Sequence, residues 1–254
     1  MKSRMVRIKV VKLPACVVAT CLVLTAAMLI AAGVHADVPL SSSITGRVKI
    51  EGPRPKSLHI SMAADPACAK AHPGGVNNDD VVAGAEGGLE NVVVFVSQGL
   101  PAGGFNAPAE PAHIEQKGCM YEPHVVAVQE NQKLRVVNED ATLHNIHPLP
   151  SNNREWNKAE PPGSTIEETF PREEVAIPVK CNVHPWMRSY IAVFRHPFFA
   201  VTGKNGAFEL KNLPPGNYTI EAWHEKLGKT QQTISVSAGE TKSLDFIFKG
   251  STSN

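Results

Sequence analysis

The sequence has no excess of positive charge, because its 25 lysines and arginines are balanced by 24 aspartates and glutamates. Five of the basic residues and none of the acidic ones lie in the first 36 residues. The rest of the chain therefore holds 20 basic and 24 acidic residues, a net charge of −4. No basic stripe remains, which argues against a nucleic-acid-binding protein. The mild acidity would favour a basic protein partner by electrostatic steering.

Helical periodicity is also nearly absent. Short runs of alternating or β-branched residues recur from ITGRVKI at residue 44 to LDFIF near the C-terminus, separated by glycine, proline and asparagine. Many short strands with such turn signals are typical of β-sandwiches and barrels. The sequence therefore predicts an all-β protein, in which only Asp65 to His72 could form a short helix.

The first 36 residues are predicted to be a signal peptide. A basic stretch up to Lys12 precedes an uncharged apolar run over residues 13–34, and Val34-His35-Ala36 supplies small residues before the cleavage point. We therefore expect a periplasmic or otherwise exported protein. Because the apolar run is long enough to span a bilayer, an uncleaved anchor is the alternative.

Cysteine is scarce beyond this leader, where only Cys68, Cys119 and Cys181 occur. An odd count in an oxidising compartment leaves one thiol unpaired. Cys181 has potential metal ligands as neighbours, so we predict a disulfide between Cys68 and Cys119; two separate thiols are the alternative. No C-x-x-C-H haem attachment sequence is present, and a single cysteine in the loop around Cys181 argues against a binuclear copper centre.

Soft metal ligands are concentrated in the stretch KCNVHPWM, residues 180–187. Cys181, His184 and Met187 offer a thiolate, an imidazole and a thioether, a set that suits copper with a weak axial sulfur. A second imidazole must come from elsewhere, and His144 in LHNIH is the best candidate. Strand alternation would turn His147 to the opposite face. Zinc is the next candidate metal, but zinc prefers sites without a thioether, and a Cys-His nucleophile pair fits this loop poorly.

Residues 113–198 resemble the cupredoxin family, and its amicyanin type most. The resemblance rests on MYEP (120–123), VNEDATLHNIH (137–147) and CNVHPWMR (181–188). It implies a Greek-key β-sandwich that binds one type 1 copper ion through His144, Cys181, His184 and Met187. Asn145 would link the histidine strand to the cysteine loop by hydrogen bonds. Three residues depart from the family pattern without removing a ligand: Val179, Lys180 and Ser189.

This resemblance also implies an electron carrier rather than an enzyme, exchanging electrons with a redox protein partner. His184 would present an exposed edge through which electrons leave, and Pro185 and Trp186 beside it would form an apolar docking patch. Packing of this patch against a second domain is the alternative. A copper-trafficking protein, a carbohydrate-binding exported module and a redox subunit of a larger oxidase are the alternative functions.

The C-terminal stretch 199–250, with NGAFELKNLPPGNYTIEAW, resembles the carboxypeptidase regulatory-like (transthyretin-like) domain, a small β-sandwich also seen in carbohydrate-binding folds. ITGRVKIEG and ENVVVFV, within residues 37–112, resemble the opening strands of the same domain. The cupredoxin could therefore be inserted into one split sandwich or packed beside it. Exported proteins labelled methylamine-utilisation proteins share this pairing, which suggests a redox role. Residues 251–254 are expected to be a tail.

Overall fold

The structure is a computed structural model that describes residues 41–78 and 80–251. The expected signal peptide and residues 252–254 lie outside the described residues. Within the described ranges the chain forms nineteen strands, one α-helix and one short 3-10 helix. The predicted all-β fold is therefore confirmed. No helix in this part of the chain is long and apolar enough to cross a membrane.

The strands and helices have the following bounds in chain order. They are β1 (Ser42–Glu51), β2 (His59–Ile60), α1 (Pro66–Ala71), β3 (Val76–Asn77), the 3-10 helix (Ala85–Gly87), β4 (Val93–Gln98), β5 (Ala112–Lys117), β6 (Met120–Glu122), β7 (Val125–Gln129), β8 (Leu134–Asn138), β9 (His144–Pro148), β10 (Lys158–Glu160), β11 (Thr165–Glu168), β12 (Glu174–Lys180), β13 (Arg188–Phe194), β14 (Phe199–Val201), β15 (Ala207–Leu213), β16 (Gly216–His224), β17 (Gly228–Val236), β18 (Thr241–Ser243) and β19 (Phe246–Lys249).

Strands from both ends of the described chain form one β-sandwich, which we call the outer sandwich. One sheet has the order β15-β1-β18, with β19 also paired to β1, and the other has the order β14-β4-β16-β17. The N-terminal strand β1 runs antiparallel to β15 and parallel to β18 and β19. Its inward residues, such as Ile44 and Val48, share a core with Val94, Ile220 and Phe246.

The chain between β4 and β14 forms a second sandwich, which we call the inserted sandwich. Its sheets have the orders β10-β9-β12-β13-β7 and β11-β8-β5-β6. Their alternating apolar residues, for example Ile114, Val136 and Ile191, form a separate core. Because β4 and β14 pair antiparallel in one sheet of the outer sandwich, the chain leaves and re-enters that sheet at neighbouring strands.

A third apolar cluster joins the two sandwiches. Val93 and Phe95 of β4 pack with Val125, Ala192 and Phe194 of the inserted sandwich, and all five are buried. The rings of Phe95 and Phe194 lie 4.8 Å apart. Since these residues come from strands that are paired within their sheets, the contact ties the sandwiches through rigid elements.

The segment from β2 to β3 contributes to the inserted sandwich although it precedes that sandwich in the chain. Its short helix α1 begins after Asp65, whose carboxylate accepts the backbone N–H groups of Ala67 and Cys68, and proline occupies the first helical position. Met62 and Cys68 are buried in the core of the inserted sandwich. A disulfide between Cys68 and Cys119 fixes the segment there, so the predicted pairing is confirmed.

Candidate metal centre

The cysteine loop is held at both ends by strand pairing. β12 and β13 are antiparallel neighbours, and their last pair is Lys180 with Arg188. Inside this pair, the N–H of Cys181 donates to the Met187 carbonyl at 3.2 Å, and the N–H of Met187 donates to the His184 carbonyl at 3.0 Å. These bonds turn Cys181, His184 and Met187 inward, where all three are buried.

The first residue of β9 brings the second imidazole to this loop. His144 is fully buried, and its Nδ1 lies 2.8 Å from the Nδ1 of His184. The Sγ of Cys181, a free and buried thiol, lies 3.9 Å from the same Nδ1 of His184. One donor atom of each residue lies within 4.8 Å of the other two. Two ring nitrogens at this separation share either a proton or a cation.

Met187 is the remaining candidate ligand and belongs to the same loop. Its side chain is fully buried in the same core cluster as Cys181. The donors therefore comprise two imidazoles, one thiol and a thioether in an apolar environment. This chemistry fits copper, since soft sulfur ligands with two imidazoles form type 1 sites. Two neighbouring groups of donors include Cys68 or Cys119, whose sulfurs are held in the disulfide.

Asn145 links the histidine strand to the cysteine loop. Its Oδ1 accepts the backbone N–H of Asn182 at 2.6 Å and lies 3.4 Å from the Sγ of Cys181. The hydroxyl of Tyr121 donates to the Asn145 carbonyl at 2.5 Å. Burial raises the pKa of Tyr121, with the nearby Cys181 and Glu160 adding to the effect. The tyrosine therefore stays a neutral donor that fixes β9.

A backbone N–H also points at the candidate sulfur ligand. The N–H of His184 donates to the Sγ of Cys181 at 3.4 Å. This bond joins two candidate ligands of the loop and helps to fix the orientation of the Cys181 side chain.

Each candidate imidazole has a carboxylate on its outer nitrogen. The Nε2 of His144 lies 2.9 Å from Asp140 Oδ2, and the Nε2 of His184 lies 3.3 Å from Asp65 Oδ2. Burial lowers the pKa of His144, although Asp140 acts against it. The imidazole therefore tends to stay neutral, as a metal ligand must.

The aspartate beside His184 remains charged over the whole useful pH range. Burial alone would raise the pKa of Asp65. Hydrogen bonds from the N–H of Cys68 and the hydroxyl of Thr142 outweigh burial, and the pKa is about 2.

These two aspartates were missed in the sequence analysis. Asp140 carries a local signal, since it lies four residues before His144. Asp65 carries none, since 119 residues separate it from His184.

The expectation that His184 presents an exposed edge is wrong. This histidine is 2% exposed, because Asp65 and Cys68 cover its Nε2, with the Cys68 sulfur 3.7 Å away. Trp186 is half-buried, and its Nε1 donates to the Cys119 carbonyl at 3.1 Å. Pro185 is exposed. The docking patch expected from Pro185 and Trp186 thus borders the disulfide rather than a bare imidazole.

His147 lies outside the group of candidate ligands. Its Nε2 lies 2.7 Å from Glu155 Oε1, and its Nδ1 lies 3.3 Å from Asn182 Oδ1. It pairs across the sheet with Lys180, one residue before the cysteine.

Comparisons with known proteins find similarity to parts of the chain. A family model described as the carboxypeptidase regulatory-like domain matches residues 191–249. The first four of these residues belong to β13 of the inserted sandwich, and the matched range leaves out β1 and β4. No curated protein matches the chain.

Among solved structures, cupredoxins are similar to part of the chain. A purple cupredoxin from Nitrosopumilus maritimus is 22% identical with a TM-score of 0.29, over 32% of this chain and 98% of that one. An oxidized mutant of amicyanin is 16% identical with a TM-score of 0.31, over 46% of this chain and 93% of that one. The copper-containing nitrite reductase of Thermus scotoductus SA-01 is 18% identical with a TM-score of 0.33, over 39% of this chain. The match spans only 26% of the reductase.

Proposed function

We propose that this protein is an exported electron-transfer protein that holds one type 1 copper ion on His144, Cys181, His184 and Met187. The observation that supports this most strongly is the convergence of two imidazole nitrogens and a free buried thiol within 4.8 Å. Met187, buried in the same core, favours copper over zinc, since zinc sites do without a thioether.

The protein's own residues would keep the ligands in one arrangement. When bound, copper would supply the redox chemistry by cycling between Cu(II) and Cu(I). The Lys180–Arg188 pair closes the cysteine loop, and Asn145 fastens the loop to β9. Because β9, β12 and β13 belong to one sheet, the ligands have little freedom to rearrange when the charge of the metal changes. Small rearrangement favours rapid electron transfer.

Burial of the ligands supports a carrier rather than an enzyme or a trafficking protein. His144, Cys181, His184 and Met187 are each at most 2% exposed, so no substrate would reach an open coordination position. A trafficking protein must also release its metal to a partner, which a closed cage hinders. Export is proposed from the leader sequence, and the disulfide fits an oxidising compartment.

A redox protein partner would dock where apolar side chains next to the ligands reach the surface. Leu143 and Val183, which adjoin His144 and His184 in the chain, are both 46% exposed, and Pro185 is also exposed. A partner that contacts these exposed apolar side chains would lie a short electron-transfer distance from the metal, while the ligands themselves stay buried.

Copper loading tests the proposed function. Residues 37–254 loaded with Cu(II) should show a strong visible band from thiolate-to-copper charge transfer and a reversible voltammetric wave. Cys181→Ser should abolish the band, because it removes the free thiol beside the imidazoles. His147→Ala is the matched control and should retain it. A Cys181→Ser protein that keeps the band would refute the assignment, and copper binding without reversible voltammetry would favour trafficking.

A further inference from the structure

The outer nitrogen of His184 faces a residue of the segment from β2 to β3, which precedes the rest of the inserted sandwich in the chain. Asp65 precedes α1, and its Oδ1 accepts the N–H groups of Ala67 at 2.7 Å and Cys68 at 3.1 Å. Its Oδ2 accepts the hydroxyl of Thr142 at 2.9 Å and lies 3.3 Å from His184 Nε2. One carboxylate thus connects the helix, the loop before β9 and the cysteine loop.

Asp140 repeats this arrangement at the other imidazole. Its Oδ1 accepts the N–H of Gly118 at 2.7 Å, and its Oδ2 accepts the N–H of Cys119 at 2.8 Å while facing His144 Nε2. Each carboxylate is therefore held by the backbone N–H of one cysteine of the disulfide. Covalent closure between Cys68 and Cys119 consequently ties together the two groups that face the imidazoles.

We propose that Asp65 is a positioning residue for His184, and that the segment from His59 to Asn78, fastened by the Cys68–Cys119 disulfide, is the outer wall of the metal centre. This inference rests on the proposed function. A carboxylate on Nε2 keeps the proton on that nitrogen, so the lone pair of Nδ1 faces the metal. The wall also keeps water from the His184 ring, which is 2% exposed.

Asp65→Asn isolates the positioning role. Asparagine is as good an N-cap as aspartate, so its Oδ1 should keep the bonds to Ala67 and Cys68 and preserve α1. Its amide NH₂ then faces His184, where it donates instead of accepting. The ring should therefore change tautomer and turn a protonated Nδ1 towards the metal. Asp245→Asn is the matched control, since Asp245 also accepts a backbone N–H, from Arg47 at 2.8 Å, but lies in the outer sandwich.

Two measurements give the outcome. In the metal-free protein, ¹⁵N NMR should show the Nε2 of His184 protonated in the parent and in Asp245→Asn, and unprotonated in Asp65→Asn. In the copper-loaded protein, Asp65→Asn should weaken copper affinity by about 10- to 100-fold, as is usual for loss of a residue that orients a ligand. The control should match the parent. An unchanged tautomer together with unchanged affinity would overturn the inference.

The disulfide is tested separately from the carboxylate. A Cys68→Ser, Cys119→Ser double variant should release copper to a chelator about tenfold faster than the parent, because Asp65 is no longer fastened. Release at the parent rate from the folded double variant would refute the role of the disulfide. A parent without the charge-transfer band would defeat the proposed function alone, since the NMR comparison needs no metal.

Discussion

Replacing Ile44 by alanine should destabilise the outer sandwich. Ile44 lies in β1, and most other strands of that sandwich come from the C-terminal part of the chain. Ile44 is fully buried in the core of that sandwich. It lies opposite Leu210 in β15 and Lys242 in β18. The prediction tests whether the C-terminal strands form a sandwich by themselves or need β1.

The magnitude follows from the atoms that are removed. Isoleucine to alanine deletes three carbon groups, and each buried group contributes about 0.8 kcal/mol. The cavity left between two sheets adds to this loss, since strands paired on both sides cannot easily close around it. We therefore expect the free energy of unfolding of the outer sandwich to fall by about 3 kcal/mol.

Ile247→Ala provides the matched control. Ile247 lies in β19, which also pairs with β1, but its side chain is 49% exposed, so the same substitution should cost less than about 0.5 kcal/mol. Native-state hydrogen exchange at the amides of β15 and β16 measures the loss within the outer sandwich. Equal exchange rates in the two variants would refute the role assigned to β1.

Three further predictions concern pH, backbone geometry and docking. Burial lowers the pKa of His224 to about 4, with His124 acting in the same direction. On acidification the unfolded chain therefore binds a proton at this histidine before the folded protein does. The free energy of unfolding should fall between about pH 6.5 and 4, by on the order of 3 kcal/mol. His224→Asn should flatten that part of the pH profile of unfolding, and an unchanged profile would contradict the assignment. Gly206→Ala should destabilise the hairpin before β15 by at least about 1 kcal/mol. The φ angle of Gly206 is +71°, and a Cβ there would lie 2.2 Å from the Val48 carbonyl oxygen. A variant that unfolds at the same temperature as the parent would contradict this prediction. Val183→Glu should slow electron self-exchange of the copper-loaded protein, measured by NMR, while Ile247→Glu should leave the rate unchanged; equal rates would remove Val183 from the docking surface.

The parts of the fold and site that could be predicted from the sequence are those with a local signal. Cys181, His184 and Met187 stand within one loop, and alternation along the strand separates His144 from His147. The all-β class follows from runs such as the one around Ile44. Each of these inferences uses neighbours in the chain, and short-range geometry is what a sequence pattern records.

The wall over His184 could not be predicted in this way. Asp65 stands in a stretch rich in glycine, proline and asparagine, where an aspartate before a proline indicates a helix start and nothing more. Its contact with His184 depends on how the segment folds back over the inserted sandwich. Even the predicted disulfide fixed only one point of that segment. The bare histidine edge implied by the cupredoxin resemblance was therefore wrong for a reason that lies outside residues 113–198.

The insertion gives the metal loop a short, stiff connection to the outer sandwich. β13 begins directly after Met187 and ends at Phe194, which packs against Phe95 of β4. Only four residues then separate β13 from β14, the strand that pairs with β4. The ring contact fastens β13 to β4 directly, and the short connection fastens it to β4 through β14. The cysteine loop therefore has little freedom to move relative to the outer sandwich. The outer sandwich thus helps to hold the cysteine loop in place.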